Sequence, residues 1–252
     1  MFLKNYRNIV IKIGSNTLAY LMEVGLFNSF IEDIKTINSF AKVTIVTSGA
    51  IATARKELNL PKPTGIPQKQ ALSSIGQVYL MHAYHQEFAK LGIKVGQILL
   101  TSEDINNVKS LQNLHATINT LREMNAVPVI NENDAISTEE IKIGDNDTLA
   151  AYVACTIKAD LLIILTDVNG VYDFNPNTNP NAKIITHTGE IALEKFENEP
   201  LTEFGSGGII TKVKAGNIAV ANGFHCIITN GRTPNPLVSI TEGKCTVFAP
   251  AK

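Results

Sequence analysis

The sequence predicts a three-layer α/β/α sandwich built on a mostly parallel sheet. Short, β-rich runs recur along the chain, and most are continuously apolar, as strands buried on both faces should be. Amphipathic segments of helical length lie between them, which makes βα units with helices on both faces of the sheet. No repeat, low-complexity tract or long linker interrupts the alternation, so residues 1–252 read as a single domain.

The elements follow in chain order. "NIVIKI" is the first strand, and residues 28–40 the first amphipathic helix. "KVTIVT" is the second strand, followed by a helix over 50–58 and a long one over 67–91. Leu72, Ile75, Leu80 and Met81 on that long segment fit packing against a sister subunit, and fit core packing equally well. "IKVGQILL" and "AVPVI" are strands flanking a helix over 111–125. "STEEIKI" alternates polar with apolar, so 135–143 reads as an antiparallel hairpin ahead of a helix over 146–158. "DLLIILT" is a further buried strand, and "TDVNGVYDFNPNTNPNAKII" carries the Asn-Gly and Asn-Pro punctuation of a second hairpin excursion. A helix over 212–222 and the strand "FHCIIT" complete the pattern.

Composition narrows the function classes. Of the 252 residues 44% are hydrophobic, enough for one substantial core. A net charge of −1 gives no basic field to gather nucleic acid. An anionic ligand must therefore be held by a few placed lysines and backbone amides. Cys155, Cys226 and Cys245 are dispersed and odd in number, as in a protein with reduced thiols. No apolar run has membrane-spanning length and no signal-peptide core opens the chain, so the expected location is cytoplasmic, away from membranes.

In open α/β sheets ligands bind where strands end and helices begin, and the polar residues sit at those places. Lys12, Gly14 and Ser15 close the first strand, Ser48 and Gly49 the second, Thr166 and Asp167 the run "LLIILT". "VINENDAISTEEIKIGDND", from Val129 to Asp147, gathers Asn131, Glu132, Asn133, Asp134, Asp145, Asn146 and Asp147. A calcium loop, a solvated turn and an active site are its three readings. EF-hand spacing is absent, and N-capping needs only one such residue. "KIGSNT" reads either as a phosphate-approached backbone or as a lysine snorkelling from a strand end. "GSGGIITK", spanning Gly205 to Lys212, leads glycines into a helix start, which suits phosphate or a surface lid. It is neither a Walker A loop nor a dinucleotide fingerprint. His82 and His85 share a helix face without a third ligand at metal spacing, so no protein-held metal site is expected.

"VIKIGSNTL", "TSGAIA", "VGQILLT", "VPVINENDAIS", "IKIGDNDTLAA", "LLIILTDVNGVYDFNP" and "GSGGIITKVKA" stand in an order that resembles the amino acid kinase family. The pairing of "NENDA" with "KIGDND" is similar to those members that phosphorylate the side-chain carboxylate of L-glutamate, opening proline biosynthesis. The resemblance covers roughly residues 8–240 and implies a mainly parallel, eight-stranded sheet with ATP and L-glutamate meeting above the strand ends. It implies that Lys12 and Lys212 stabilise the transferring phosphoryl group and that Asp147 orients them. Ser48, Asp134 and Asn146 match substrate-binding positions. Lys12, Gly14, Ser15, Thr166, Asp167, Ser206, Gly207, Gly208, Ile209, Ile210, Thr211 and Lys212 match ATP-binding positions. Mg²⁺ is implied on the nucleotide phosphates, proline as a feedback inhibitor, and a homo-oligomer as the assembly. Many relatives add a C-terminal PUA domain, for which this chain is too short, and Asn16 stands where a second small residue is expected.

Two other readings stay open. One is a kinase of the same fold acting on a nucleoside monophosphate or acetylglutamate, although none of Arg7, Arg55, Arg122 and Arg232 falls in the dense polar run. The other is a non-catalytic nucleotide-binding or RNA-associated module, against which the joint presence of Lys12, Lys212 and Asp147 argues.

Overall fold

Two-residue alternation in the central strand divides the interior into two layers. The computed structural model describes residues 2–137, 146–174, 179, 181–193, 208–241 and 243–251. β1 (Asn8–Ile13) sends Ile9, Ile11 and Ile13 into one hydrophobic cluster and Val10 into the other. The first cluster is closed by α1 (Ser15–Glu23), α2 (Phe27–Asn38) and α4 (Ile66–Lys90), through Leu18, Leu21, Phe30, Ile34, Tyr84 and Phe88. The second is closed by α6 (Val108–Glu123), α7 (Asn146–Thr156) and α8 (Ile209–Ala221), through Leu114, Ile118, Leu149, Val153, Val213 and Ala219. Lys12 follows Val10 by one pleat and so belongs to the α7–α8 side.

The remaining strands are β2 (Lys42–Val46), β3 (Lys94–Leu100), β4 (Ala126–Glu132), β5 (Leu161–Thr166), β6 (His187–Thr188), β7 (His225–Asn230) and β8 (Thr246–Phe248). They form an eight-stranded sheet in the order β3-β4-β2-β1-β5-β7-β8-β6. Pairing is parallel from β3 through β7, and β8 runs antiparallel to β7 and parallel to β6. Register sets Lys12 opposite Val46, the last residue of β2, and opposite Ile164, two residues before β5 ends. The helices that follow β1 and β2, α1 and α3 (Ala50–Glu57), thus start at one rim of the sheet.

Several expectations are corrected. A helix, α1, begins directly after Gly14, where only a loop was read. α6 starts ahead of residue 111 because the Asn107 side chain accepts from Lys109 N and Ser110 N at 2.9 and 3.1 Å. α8 starts at Ile209, so Lys212 lies in its first turn. α5 (Ser102–Ile105), β6 and β8 are too short for periodicity to reveal. The proposed hairpin over 135–143 does not start as a strand: Ile136 N and Ser137 N both donate to Asn133 O, at 3.2 and 3.1 Å, in a tight turn. Its continuation beyond Ser137 lies outside the described residues. The second hairpin is present, with Tyr172 bridged antiparallel to Ile184 and Ile185 N donating to Val171 O at 2.8 Å.

On α4, Leu72 and Leu80 are core and Met81 packs against it, while Ile75, Val78 and Tyr79 are exposed. His82 and His85 are surface residues. Gly76 is a packing necessity, since a Cβ there would lie 1.8 Å from the Ala50 carbonyl oxygen. That crossing draws α4 against the start of α3 and thereby towards the strand ends. Cys155, Cys226 and Cys245 are all free thiols.

Candidate active site

Asp147 is fully buried in the first turn of α7, and it is ion-paired at both oxygens. Oδ1 pairs with Lys12 Nζ from β1, and Oδ2 with Lys212 Nζ from α8 at 3.2 Å. Both lysines are themselves nearly buried. A buried charge survives only when paired and hydrogen-bonded, and here one carboxylate is shared by two ammonium groups. Among the described residues, two ammonium groups face one carboxylate in a weakly solvated place, where an incoming anion is held strongly. Burial pushes the neighbouring Cys226 thiol well above its ordinary pKa, with the Asp147 charge adding to the effect.

Two helix N-termini flank this cluster. α1 is preceded by Gly14 and α8 by Gly208, and neither has a side-chain cap among the described residues, so first-turn amides such as those of Ser15, Ile209 and Ile210 can face an anion. A Cβ on Gly14 would lie 3.5 Å from Lys12 Nζ, so glycine leaves that ammonium uncovered. A Cβ on Gly208 would meet nothing within 4 Å. The Thr211 hydroxyl points inwards, towards Asp147 Oδ2 at 3.2 Å and the Gly208 carbonyl at 2.8 Å. Ser206 and Gly207 lie outside the described residues.

Amides dominate on the other side of Asp147. Asn146 Nδ2 donates to Thr47 O at 2.7 Å, Ser48 Oγ at 2.6 Å and Asn131 Oδ1 at 2.9 Å. Its Oδ1 is buried with no hydrogen-bond partner among the described residues. Ser48 is presented by a turn in which Gly49 takes φ 104°, a left-handed conformation that favours glycine. Asn131 Nδ2 in turn donates to Gln77 Oε1 on α4 at 2.9 Å. Gln77, Ser73, Glu132, Asn133 and Asp134 line a cavity of about 270 Å³, where Ser73 Oγ lies 3.5 Å from Asp134 Oδ2.

At the end of β5, the Thr166 hydroxyl donates to Asp167 Oδ1 at 3.1 Å. Asp167 is half exposed, and Arg232 NH2 lies 3.8 Å from its Oδ2. The Arg232 guanidinium sits over the Tyr20 ring of α1, 5.4 Å from its centroid. Gly231 N closes the junction by donating to Thr166 O at 2.7 Å.

Residues 7–230 match the model of the amino acid kinase family. The chain belongs to that family. Within it, the chain is 43% identical to a glutamate 5-kinase of Clostridium tetani, over 96% of this chain and 94% of the relative. It is 41% identical to the glutamate 5-kinase of Clostridium acetobutylicum, over 99% and 97%. A third, from Geobacter metallireducens, is 41% identical over 99% of this chain and 69% of its own length. The fold is shared with a UMP kinase from Ureaplasma parvum (TM-score 0.63, 20% identity, 96% of this chain and 98% of that one). It is shared also with a carbamate kinase from Giardia lamblia bound to AMP-PNP (TM-score 0.64, 16% identity, 98% and 100%).

Of the residues singled out in sequence, this amino acid kinase brings together Lys12, Asp147, Lys212 and Thr211, and separately Ser48 with Asn146. Asp134 joins neither group by direct contact with them among the bonds described above; it shares the cavity with Gln77. Gln77, Thr47 and Arg232 were missed as site residues, and Asn131 was noticed only as part of the polar run. Among the described residues no group of three or more His, Cys, Asp or Glu could hold a metal, and no helix is long and apolar enough to cross a membrane.

Proposed function

We infer that the protein transfers the γ-phosphoryl group of ATP to the side-chain carboxylate of L-glutamate, giving L-glutamyl 5-phosphate and ADP. The observation that carries this reading is Asp147, buried between Lys12 and Lys212 and flanked by Asn146. A carboxylate oxygen of glutamate attacks the γ-phosphorus, and the bond to the β,γ-bridging oxygen breaks as ADP leaves. Such a transfer needs little covalent help and much positioning and charge stabilisation. Lys12 and Lys212 neutralise the phosphoryl oxygens in the transition state, and Asp147 keeps the two cations a fixed distance apart.

The α1 and α8 N-termini receive the phosphates, including through Gly14, Ser15 and the stretch from Ser206 to Lys212. Thr166 and Asp167 receive the remainder of the nucleotide. Ser48, Asn146 and Asp134 hold glutamate, with Asn146 Oδ1, which has no partner among the described residues, and the Asp134 carboxylate accepting from its ammonium group. Both Asp147 oxygens face lysines, which fits Mg²⁺ carried by the nucleotide phosphates. When bound, the ion shields phosphate charge. The same proposal takes residues 1–252 as one cytoplasmic kinase domain in proline biosynthesis, open to proline inhibition. It further takes the chain as a homo-oligomer using the exposed Ile75, Val78 and Tyr79 stripe, with no nucleic-acid or membrane partner.

ADP release measured with a panel of acceptors tests the reading, with hydroxylamine trapping the acyl phosphate. Glutamate-dependent ADP and hydroxamate formation are expected. Turnover on N-acetylglutamate or a nucleoside monophosphate without turnover on glutamate overturns it.

A further inference from the structure

Gln77 ends a chain of hydrogen bonds whose direction is fixed by two backbone groups. The Thr47 carbonyl can only accept, so the Asn146 atom facing it at 2.7 Å is Nδ2. The Glu132 amide can only donate, so the Asn131 atom facing it at 2.9 Å is Oδ1, which also accepts from Asn146 Nδ2. Asn131 therefore turns Nδ2 towards α4, and Gln77 must meet it with Oε1. What remains is Gln77 Nε2, buried and without an acceptor among the described residues. Buried donors are seldom left unmet, because the desolvation of the N–H is then uncompensated. Gln77 also lines the cavity that holds Asp134 and Ser73.

We propose that Gln77 determines acceptor specificity by donating Nε2 to the α-carboxylate of the amino-acid substrate. The inference rests on the glutamate reading above. Asn146 adjoins Asp147, and Asn131 and then Gln77 carry the chain away from the lysines. The end of the substrate that meets Gln77 is consequently the one that does not react. An amino acid carries ammonium and carboxylate on the same carbon, and the cavity pairs an acid, Asp134, with this enforced donor. The amide chain prevents Gln77 from turning its oxygen to the cavity, where it would repel the carboxylate.

Two variants separate this role from a merely structural one. Gln77→Glu keeps an oxygen for Asn131 and puts a second carboxylate oxygen where the amide stood, whereas Gln77→Met removes both polar atoms. Loss of a hydrogen bond to a charged group and addition of a like charge should raise the glutamate KM roughly 100-fold in Gln77→Glu. Simple loss in Gln77→Met should raise it about 10-fold. The KM for ATP should stay near that of the wild type, while the unfolding temperature falls by a few degrees in both variants, because each leaves a buried polar group poorly met. A merely structural role lowers the unfolding temperature without raising the glutamate KM more in Gln77→Glu than in Gln77→Met, and that outcome overturns the proposal. The α-amide of glutamate supplies a second readout. The wild type should prefer glutamate to it, and both variants should lose that preference, so Gln77→Met preserves the test if Gln77→Glu does not fold. Equal preference in wild type and Gln77→Met overturns the proposal as well. A wild-type protein with no glutamate turnover overturns the function and this inference together. Normal turnover with an unchanged glutamate KM in Gln77→Glu overturns the inference alone.

Discussion

Replacing Asp147 with asparagine leaves Lys12 and Lys212 buried beside each other with one neutral oxygen to share. Both ammonium groups lose a charge partner, and the new amide nitrogen turns a donor towards one of them. Breaking a buried ion pair by removing one partner typically costs about 3–5 kcal/mol. In a chain of this size each kcal/mol corresponds to roughly 2–4 °C, so the unfolding temperature should fall by on the order of 10 °C. Misplacing a cation at the transferring group should lower kcat about 100- to 1,000-fold, the usual loss for one transition-state donor. The glutamate KM should change little, because Asn146, Ser48 and Asp134 stay in place. Nucleotide provides the discriminating measurement. Its phosphates restore negative charge beside the two lysines, so ATP should raise the unfolding temperature of Asp147→Asn more than that of the wild type. Steady-state kinetics and thermal unfolding with and without ATP suffice. A kcat within tenfold of wild type, or an equal ATP-induced shift in both proteins, would refute the reasoning.

Asp134→Asn should behave differently, raising the glutamate KM roughly 10- to 100-fold through loss of a charge-assisted bond to the substrate ammonium. An effect confined to kcat would contradict that assignment. Lys212→Ala should cut kcat about 100-fold with a modest change in glutamate KM, and single-turnover rates check it. At the start of α5, Asp104 accepts from Thr101 N and Oγ1, both at 2.9 Å, and these bonds hold its carboxyl below the ordinary range. A depressed folded pKa stabilises above the unfolded value and loses that contribution as pH falls through the folded one. Asp104→Asn should therefore unfold at slightly lower temperature than wild type near neutral pH, by less than about 1 kcal/mol, the worth of an acidic side chain at an exposed helix start. The gap should close below the ordinary carboxylate pKa; a gap independent of pH argues against the capping box.

The sheet was legible because β1, β2, β4 and β5 are buried on both faces and read as largely apolar runs broken by few polar residues. β6 and β8 were not, since two and three residues carry no period and gain their place from pairing with each other and with β7. α1 was hidden because "GSNTLAYLME" opens with turn-forming residues, and Gly14 gives no capping side chain to announce a helix. In the site, Lys12, Asp147 and Lys212 could be named from their motifs, although only the fold brings the strand lysine and the α8 lysine onto one carboxylate. Gln77 could not be named. It reaches Asn131 from 54 residues away, and the Gly76 crossing that delivers it has no local signature. Arg232 likewise meets Asp167 and Tyr20 only because the end of β7 lies beside that of β5.

The pleat of β1 couples the chemistry to the arithmetic of six residues. Lys12 and Val10 share the face that looks onto α7 and α8, while Ile9, Ile11 and Ile13 share the other. Inserting or deleting one residue between them would exchange the two sets. An ammonium would then be driven among Phe30, Tyr84 and Phe88, and an isoleucine would be offered to Asp147. Exchange of one branched aliphatic residue for another within the strand leaves both sets where they are. β1 is thus free to drift in spelling but not in length, and a single-codon indel there would abolish folding and phosphoryl transfer in one stroke.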